Sequence, residues 1–558
     1  MASAQPTASL SSTVAEFVHA VTYGDLPNEV VRITRQHLLD TLGCCLAATT
    51  VDTSRLLGTW LLSEGGAEQA TAIGIRRRLP APQAAFINGL LARTHEFDDM
   101  AMPDLHPAGV VVPVALAVSE HREISGMNLL AGIALGLELC LRIGWAGYDR
   151  VARTSRFLQR GQDSSAICGT LAGAAVAAKL MGLGAKGIAD AIGIAVSFAG
   201  GSLEANRSGG TIKRFQSGWA AKSAVQAATL AGCGVDGPAQ AFEGRYGFYR
   251  CFIDGDFDAA VLTRGLGTEW RMTSLRFKPY PSNYYTHSGI DAALALRRNG
   301  MRAEDIRSAH LAVATPMLHT IGEPLDRKQA PHTAYEAKFS APYTVAAALI
   351  GGTGLGLGID DFTDELIADP VRRALMSRID VGSDPRCDAI FPDQAPAILT
   401  VVKNNGEQVV EETLVNRASP ESPLSEQELA IKFADTARRA LSPEIADRLR
   451  THVEGIAACL GRGRAARGRP SHNRSNSIRC VGSRHGGRES SALCARSRGS
   501  RCRPPPHAPD RPHLHMLRHR TTWPIAPRHE PVATPLRPRR SRSIAVRSPA
   551  AHERAPHG

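Results

Sequence analysis

Two apolar stretches, LLAGIALGLELCLRIGW (129–145) and SAICGTLAGAAVAAKL (165–180), decide the fold class. Both are rich in Ala, Leu and Gly, have few strand-forming residues and contain no proline, a pattern typical of buried helices. Upstream, apolar residues recur at three- and four-residue steps, as at Val30, Ile33 and Leu38. We therefore predict a mainly α protein whose first part, residues 1–264, is an all-helical domain.

The pattern changes near residue 265. RSAHLAVAT (307–315) alternates like a strand, and the runs 397–402 and 408–414 flank Asn404-Asn405-Gly406. This arrangement predicts a hairpin, because Asn-Gly tolerates the positive φ of tight turns. With a helical run at 339–350, these elements predict a smaller α+β domain over 265–415.

The residues after this α+β domain form a separate segment, 416–460. Ser425 is followed by Glu428 at the spacing of a capping box, which predicts that a last helix begins there and continues to about Leu449.

The chain ends in a basic tail, residues 461–558. It holds 22 Arg, four acidic residues and no Lys, so its formal charge is about +18. The whole chain has a formal net charge of +12, and the first 460 residues therefore carry about −6. Its Arg/Pro-rich composition and lack of periodicity predict disorder. It could be a nucleic-acid-binding arm, a passive extension or the translation of GC-rich DNA in a shifted frame. We favour the last, so nucleic acid is not the expected partner.

Cysteine usage and hydropathy indicate a cytoplasmic protein. The 11 Cys show no CxxC pair or zinc spacing, and no signal peptide is evident, so reduced thiols are expected. The apolar run 166–182 is interrupted by Lys179 and is only about 17 residues long, which is marginal for crossing a membrane. We expect a buried helix and no membrane partner.

The segment THEFDDMAMPDLHPAGVVVP (94–113) crowds acidic and imidazole side chains together. Like charges at close range raise one another's pKa, so such density is costly unless it is solvated or used. It could be a metal site, a general acid/base site or a solvated loop with capping aspartates. The spacing matches no dedicated metal motif, so we favour acid/base chemistry and no metal. Within this segment, His106 is the strongest candidate for the acid/base group. It directly precedes Pro107 and an apolar helix, so its imidazole should lie near a helix N-terminus.

Two further segments present cations at bends. Lys213 and Arg214 follow Gly209 and Gly210 in GGTIKRFQSGWAAKS (209–223), and Lys278 precedes a proline in FKPYPSNYYTHSG (277–289). A lone lysine is usually solvated surface. Two fixed cations from distant segments, however, suit a small substrate with two or three carboxylates.

Successive blocks of the chain resemble the MmgE/PrpD family, which includes 2-methylcitrate dehydratase and cis-aconitate decarboxylase. They are HEFDDM (95–100), HPAGVVVPVALA (106–117), LGLELCLRIG (135–144), KRFQSGWAAKSAVQAATLA (213–231), EGRYGFYRCF (243–252), KPYPSNYYTHSGIDAALAL (278–296) and KFSAPYTVAAALIGG (338–352). The resemblance covers about 9–455 in order. It implies a large all-helical domain completed by the segment after about 415, a smaller α+β lid domain over 265–415, a homodimer, a cofactor-free site between the domains and a place in propionate metabolism.

The resemblance also assigns residues. It places the acid/base histidine at His106, the substrate-binding lysines at Lys213 and Lys278, and a lid tyrosine at Tyr343. This chain has Glu96 and Met100 where the family has aspartate and threonine, Asp163 where a histidine precedes proline, and Asn283 where histidine or cysteine is usual. An added carboxylate and lost imidazoles should disfavour a third substrate carboxylate nearby.

The resemblance implies proton transfer at a carbon next to a carboxylate. Lys213 and Lys278 would stabilise the enolate-like charge, His106 would exchange the proton, and Glu96 or Asp99 would orient it or act on the opposite face. The first hypothesis is a cofactor-independent hydro-lyase of the 2-methylcitrate dehydratase type. The alternatives are an epimerase of a dicarboxylate or amino-dicarboxylate, and a non-catalytic scaffold. An iron–sulfur dehydratase is disfavoured because no three-cysteine cluster set is evident.

Overall fold

The computed structural model describes residues 9–75, 77–102, 104–205 and 211–457. The predictions made for the tail, 461–558, and the glycines at 209 and 210 lie outside the described residues. The fold is mainly α, as the sequence predicts, with small sheets. Two large hydrophobic clusters form its interior, one among the helices of the first part and one around a four-stranded sheet in the second.

The first part is built almost wholly of helices. Its α-helices are Leu10–Ala20, Asn28–Ala48, Asp52–Glu64, Ala81–Arg93, Ala108–Arg122, Gly126–Ala146, Arg156–Gln159, Ser164–Leu180, Ala185–Val196, Lys213–Gly232, Phe248–Ile253 and Ala259–Thr263. Short 3₁₀ turns lie at Tyr23–Asp25 and Arg271–Ser274. Two-residue strands pair as Ala70–Thr71 with Arg78–Leu79, and as Tyr148–Asp149 with Thr154–Ser155.

The helix Lys213–Gly232 packs against Ala81–Arg93 and Ser164–Leu180 in the middle of the helical part. Glycine permits the first approach, because a Cβ on Gly89 would lie 2.9 Å from the Cα of Gly218. Small residues let helices pack at short distance. The close packing holds Arg93, at the end of one helix, beside Ser217 on the other, with Arg93 Nη1 3.4 Å from Ser217 Oγ.

One helix in the described residues, Gly126–Ala146, is long and apolar enough to cross a membrane. Its most apolar window is 94% buried inside the structure, which is how a core helix behaves. The helix Ser164–Leu180, which contains most of the apolar run 166–182, is shorter and equally enclosed.

The second part surrounds a four-stranded sheet. Its strands are Ile306–Val313, Ile379–Ser383, Ala397–Lys403 and Gln408–Thr413, in the spatial order 408–413, 397–403, 306–313, 379–383. The 397–403 and 408–413 strands form the predicted hairpin, and Val313 pairs antiparallel with Ala397. The strand 379–383 runs parallel to 306–313.

Helices cover this sheet. They are His287–Arg298, Thr315–Ile321, Leu325–Gln329, Ala334–Ala337, Ala341–Ile350, Asp364–Ala368, Pro370–Met376 and Pro385–Ile390, with 3₁₀ turns at Tyr284–Thr286, Ala303–Asp305 and Ile359–Asp361. The division of the chain at 264 and 415 stays a prediction.

The chain ends its described part with two helices, Glu426–Ala437 and Pro443–Glu454. The Ser425–Glu428 capping box is present, but the prediction of one helix to Leu449 is wrong. Pro443 cannot donate a backbone hydrogen bond and disfavours helical backbone at Ser442, whose ψ of 157° is extended. Both helices pack against Asn28–Ala48, back on the helical part.

A two-residue pairing joins the acidic segment to the segment of Lys278. Asp99–Met100 forms an antiparallel ladder with Arg276–Phe277, in which Asp99 lies opposite Phe277. Because Lys278 directly follows that strand, this ladder delivers its side chain to the acidic loop. No periodicity in the sequence could predict a ladder this short.

Candidate active site

The candidate site lies where four stretches of chain meet. The loop 94–107 connects the helices Ala81–Arg93 and Ala108–Arg122, and Lys213 is the first residue of its helix. Lys278 follows the short strand Arg276–Phe277, and residues 334–340 come from the second part of the chain. We call residues 334–340 the covering segment.

The carboxylate of Glu96 is the centre of the cluster. Lys213 Nζ donates to Glu96 Oε1 at 2.8 Å, and Lys278 Nζ lies 3.4 Å from Glu96 Oε2. Lys278 Nζ also donates to the backbone oxygen of Glu96 at 3.2 Å, and the Tyr335 hydroxyl donates to Oε1 at 3.1 Å. Two lysines predicted from segments 65 residues apart in the chain therefore meet on one predicted carboxylate.

Mutual compensation keeps Glu96 and Lys213 charged although both are buried. Burial alone would raise the pKa of the Glu96 carboxyl, but Lys213 and Lys278 hold it well below its usual range. Burial likewise opposes protonation of Lys213, yet the Glu96 charge outweighs it and raises the pKa of the ammonium. A buried ion pair of this kind needs its partners in place, because a lone buried charge is costly.

Asp98 forms a second junction beside the first. Its Oδ2 lies 3.2 Å from Arg93 Nε and 3.3 Å from His106 Nδ1, and its Oδ1 lies 3.8 Å from Lys278 Nζ. Burial would raise the pKa of the Asp98 carboxyl, but Arg93, His106 and Lys278 lower it. Neither oxygen has a well-aligned hydrogen bond. Asp98 is therefore an ionised carboxylate held by charge.

His106 is held in one orientation. Its Nδ1 lies 2.6 Å from the backbone oxygen of Asp99, and its backbone N donates to Ser165 Oγ at 3.0 Å. A carbonyl oxygen can only accept, so Nδ1 carries a proton, and in the neutral form of the ring Nε2 holds the lone pair. Nε2 points towards Asp104, whose Oδ1 is 3.9 Å away. An imidazole that is buried and fixed by one ring nitrogen is suited to exchange a proton with carbon through the other.

Asp99 has a structural part in this arrangement. Its Oδ2 accepts a hydrogen bond from the backbone N of Ala108 at 3.0 Å, at the start of the helix Ala108–Arg122. Burial and the neighbouring Asp98 charge raise the pKa of the Asp99 carboxyl well above its usual value. Asp99 is thus a helix-capping aspartate, as the loop alternative expects, while its neighbours form a charged cluster. The loop is not solvated, because Glu96, Asp98 and Asp99 are each at most 3% exposed.

The structure does not bring all predicted residues into this cluster. Asp163 caps the helix Ser164–Leu180, accepting from Ala166 N at 3.0 Å, and its charge acts on Arg93. Asn283 accepts from Tyr285 N at 3.0 Å, and its backbone N donates to Lys338 O. The Tyr343 hydroxyl donates to Asp361 O at 2.5 Å inside the second hydrophobic cluster, so its hydrogen bond lies within the second part of the chain.

Residues that the sequence did not single out complete the site. They are Arg93, Asp98 (named only as part of the acidic segment), Tyr335, Lys338 and Phe339. The ring of Phe339 lies under Lys213, with Nζ 4.9 Å from its centroid. Lys338 Nζ donates to His95 O at 3.0 Å and to Pro281 O at 2.8 Å. Only the KFSAPYT block hinted at this segment, and its tyrosine, Tyr343, is not the one that reaches Glu96.

Within the described part of the chain, no group of three His, Cys, Asp or Glu side chains has an arrangement that could hold a metal ion. The functional groups of the cluster are instead ammonium, guanidinium, carboxylate, phenol and imidazole. Such a set can bind an acidic molecule and move a proton.

Comparison with known proteins places this architecture in one family. The MmgE/PrpD N-terminal domain matches residues 12–260, and the MmgE/PrpD C-terminal domain matches residues 280–457. Similar proteins include a human cis-aconitate decarboxylase, 26% identical with 80% of this chain and 92% of that protein covered. A cis-aconitate decarboxylase-like protein of Aspergillus oryzae is 27% identical, with coverages of 80% and 94%. A 2-methylcitrate dehydratase of Cupriavidus necator is 28% identical, with coverages of 68% and 80%. Because the two domain matches together span well over half of the sequence, the chain belongs to the MmgE/PrpD family.

Proposed function

We propose that this chain is a cofactor-independent lyase acting on a small di- or tricarboxylate by proton transfer next to a carboxylate. The observation that carries the proposal is the buried junction in which His106, with Nδ1 on the backbone oxygen of Asp99, and two lysines meet around Glu96 and Asp98. The similar proteins support it, since their names describe a carboxy-lyase and a hydro-lyase.

Charge in the junction favours an acidic ligand. In the direct contacts, Lys213, Lys278 and Arg93 supply three positive charges, whereas Glu96 and Asp98 supply two negative ones; Asp104 and Asp163 act on Arg93 from further away. Lys213 spends one N–H on Glu96, so the ammonium retains donors for a substrate carboxylate. Cations fixed in a water-poor site stabilise the enolate-like charge that develops when the neighbouring carbon loses its proton.

His106 is the residue that transfers the proton. Nε2 takes the proton from carbon, and the electron pair moves towards the substrate carboxylate held by the lysines. The resulting imidazolium is stabilised by Asp98, 3.3 Å from Nδ1. Asp99 orients the ring through its backbone oxygen.

Dehydration requires a second group that protonates the departing hydroxyl. Glu96 is unsuited to that step, because its pKa is held well below the usual range and it carries no proton. The ammonium of Lys213 and the phenol of Tyr335 are the available donors beside it. Loss of hydroxide assisted by one of them leaves a new carbon–carbon double bond.

Decarboxylation is the second candidate, favoured by the names of the human and Aspergillus relatives. It would use the same residues, but His106 would give a proton instead of taking one. Loss of CO₂ leaves a carbanion, and protonated His106 would protonate it. An epimerase would use proton transfer without a leaving group. Formation of a new conjugated double bond would indicate dehydration, and release of CO₂ would indicate decarboxylation. Incorporation of deuterium without net product would indicate epimerisation.

The experiment is a screen of hydroxy-tricarboxylates and of hydroxy- or amino-dicarboxylates, with proton exchange followed by NMR. His106→Gln should lower turnover by about 10²- to 10⁴-fold. The matched control is His319→Gln, a side chain 76% exposed and paired with Glu323. Turnover that survives His106→Gln would contradict the proposal, and a complete lack of turnover in wild type across the screen would favour the scaffold alternative.

A further inference from the structure

Three donors converge on one carboxylate of the chain itself. Lys213 and Lys278 approach the two oxygens of Glu96 from different elements, and Tyr335 adds its hydroxyl from the covering segment. This is the coordination that a free carboxylate would be expected to take in a site built from ammonium and hydroxyl donors. Glu96 therefore stands where a ligand carboxylate would otherwise stand.

The backbone fixes Glu96 in that place. Its φ of 55° lies in the left-handed region, which is unusual for a residue with a side chain. Its backbone N donates to Arg93 O, and its backbone oxygen accepts from Lys278. An off-region conformation persists only where the surroundings enforce it, and such positions concentrate at functional sites. The carboxylate is a built part of the site and not a surface side chain that has folded inwards.

Side-chain length decides how far this carboxylate reaches. An aspartate at position 96 would keep the charge but withdraw the carboxylate by one carbon–carbon bond, about 1.5 Å. The 2.8 Å contact with Lys213 and the 3.1 Å contact with Tyr335 would both open, leaving donors and space for a ligand oxygen. The effect comes from reach alone, because the net charge of the site does not change.

We propose that Glu96 fills one carboxylate position of the site, so that the substrate carries two carboxylates and not three. The inference rests on the proposed function, because it assumes that the same lysines bind the substrate. It makes Glu96 a specificity-determining residue, whose charge and reach take the place of a third substrate carboxylate.

Calorimetric binding to the full chain tests this without turnover. The probes are succinate, with two carboxylates, and tricarballylate, with three. Wild type should bind succinate at least about tenfold more tightly, and Glu96→Asp should remove or reverse that preference, with Glu64→Asp, at an exposed helix end, as the matched control. A wild-type preference for tricarballylate overturns the inference even if the variant fails to fold. So does a folded Glu96→Asp protein with an unchanged preference.

Lys213→Met separates this inference from the function beneath it. If that variant loses both ligands but Glu96→Asp does not change the preference, only the role of Glu96 is wrong. If Lys213→Met binds both ligands as wild type does, the lysine site itself is wrong and the proposed function falls with it. Lys222→Met, on the same helix, should leave both affinities unchanged.

Discussion

Charge compensation at single residues explains how the site can be buried at all. Lys278 is 1% exposed and Glu96 is 2% exposed, yet the contacts between them, Lys213 and Asp98 let each charge face an opposite one. Removing one member leaves its partner uncompensated, and that cost falls on folding as well as on binding.

Lys213→Met should therefore destabilise the fold by about 3–5 kcal/mol, the range for breaking a buried ion pair. Adding Glu96→Gln should recover part of the loss, because the stranded carboxylate is then neutral. Urea unfolding of the two single variants and the double variant measures the coupling. Lys222→Met should change stability by no more than about 0.5 kcal/mol. If the effects of Lys213→Met and Glu96→Gln on stability are additive, the ion pair between Lys213 and Glu96 is not formed.

Lys338 predicts a pH dependence of stability. Burial lowers the pKa of Lys338 from 10.5 to about 7, with the Glu96 charge opposing the shift. Between those values the unfolded chain holds a proton that the folded chain has released, so stability should rise with pH from about 7 towards 10, by at most about 1.4 kcal/mol per pH unit. Below that window the cost of burying the charge is fully present.

Comparison with Lys338→Met isolates this contribution. Urea unfolding at several pH values should show that the difference in stability between wild type and variant shifts in favour of wild type as pH rises through 7. A difference that stays flat from pH 6 to 10 would mean that Lys338 keeps its proton in the folded protein.

At the scale of elements, the site depends on pieces too short to be read from the sequence. The positions of Glu96, Lys213, Lys278 and His106 follow from residue types and family resemblance. Their convergence depends on the ladder between Asp99–Met100 and Arg276–Phe277, only two residues long. The Tyr335–Glu96 contact spans 239 residues of chain. Sequence periodicity predicts neither the ladder nor the Tyr335–Glu96 contact, because both are set by tertiary packing.

Long elements with a regular sequence pattern can be predicted, because their signals lie within the element itself. The helix Ser164–Leu180 and the hairpin of Ala397–Lys403 with Gln408–Thr413 have their own period and turn signals, and the structure confirms them. The capping signal at Ser425 predicts where the last helical segment begins, but Pro443 divides that segment into two helices.

The two last helices offer a matched test of capping. Ser425 accepts from Glu428 N within a capping box, whereas Ser442 begins its helix without a side-chain cap bond. Ser425→Ala should cost about 1 kcal/mol, and Ser442→Ala clearly less. Chemical denaturation of both variants measures the difference. Equal losses would show that the capping bond at Ser425 contributes nothing beyond serine's intrinsic preference for the position.

At the scale of the molecule, both hydrophobic clusters lie within residues 9–457. A chain truncated after residue 460 should therefore unfold at the same denaturant concentration as the full chain. Circular dichroism during urea unfolding measures this midpoint. A lower midpoint for the truncated chain would give the basic tail a structural part, contrary to its prediction as a disordered, out-of-frame segment.

Assembly and location also belong to this scale. The homodimer and the cytoplasmic location implied by the sequence stay predictions. Light scattering of the truncated chain would give its mass in solution, and a monomer would exclude the expected dimer.

The central claim is that His106 moves a proton to or from a carbon whose carboxylate is held by Lys213 and Lys278. The most direct measurement is deuterium incorporation from D₂O into a bound polycarboxylate, followed by NMR, for wild type and His106→Gln with circular dichroism as the folding control. We expect wild type to exchange the proton next to the carboxylate and the folded variant to lose exchange by about 10²-fold or more. Equal exchange rates in the two proteins would contradict the account.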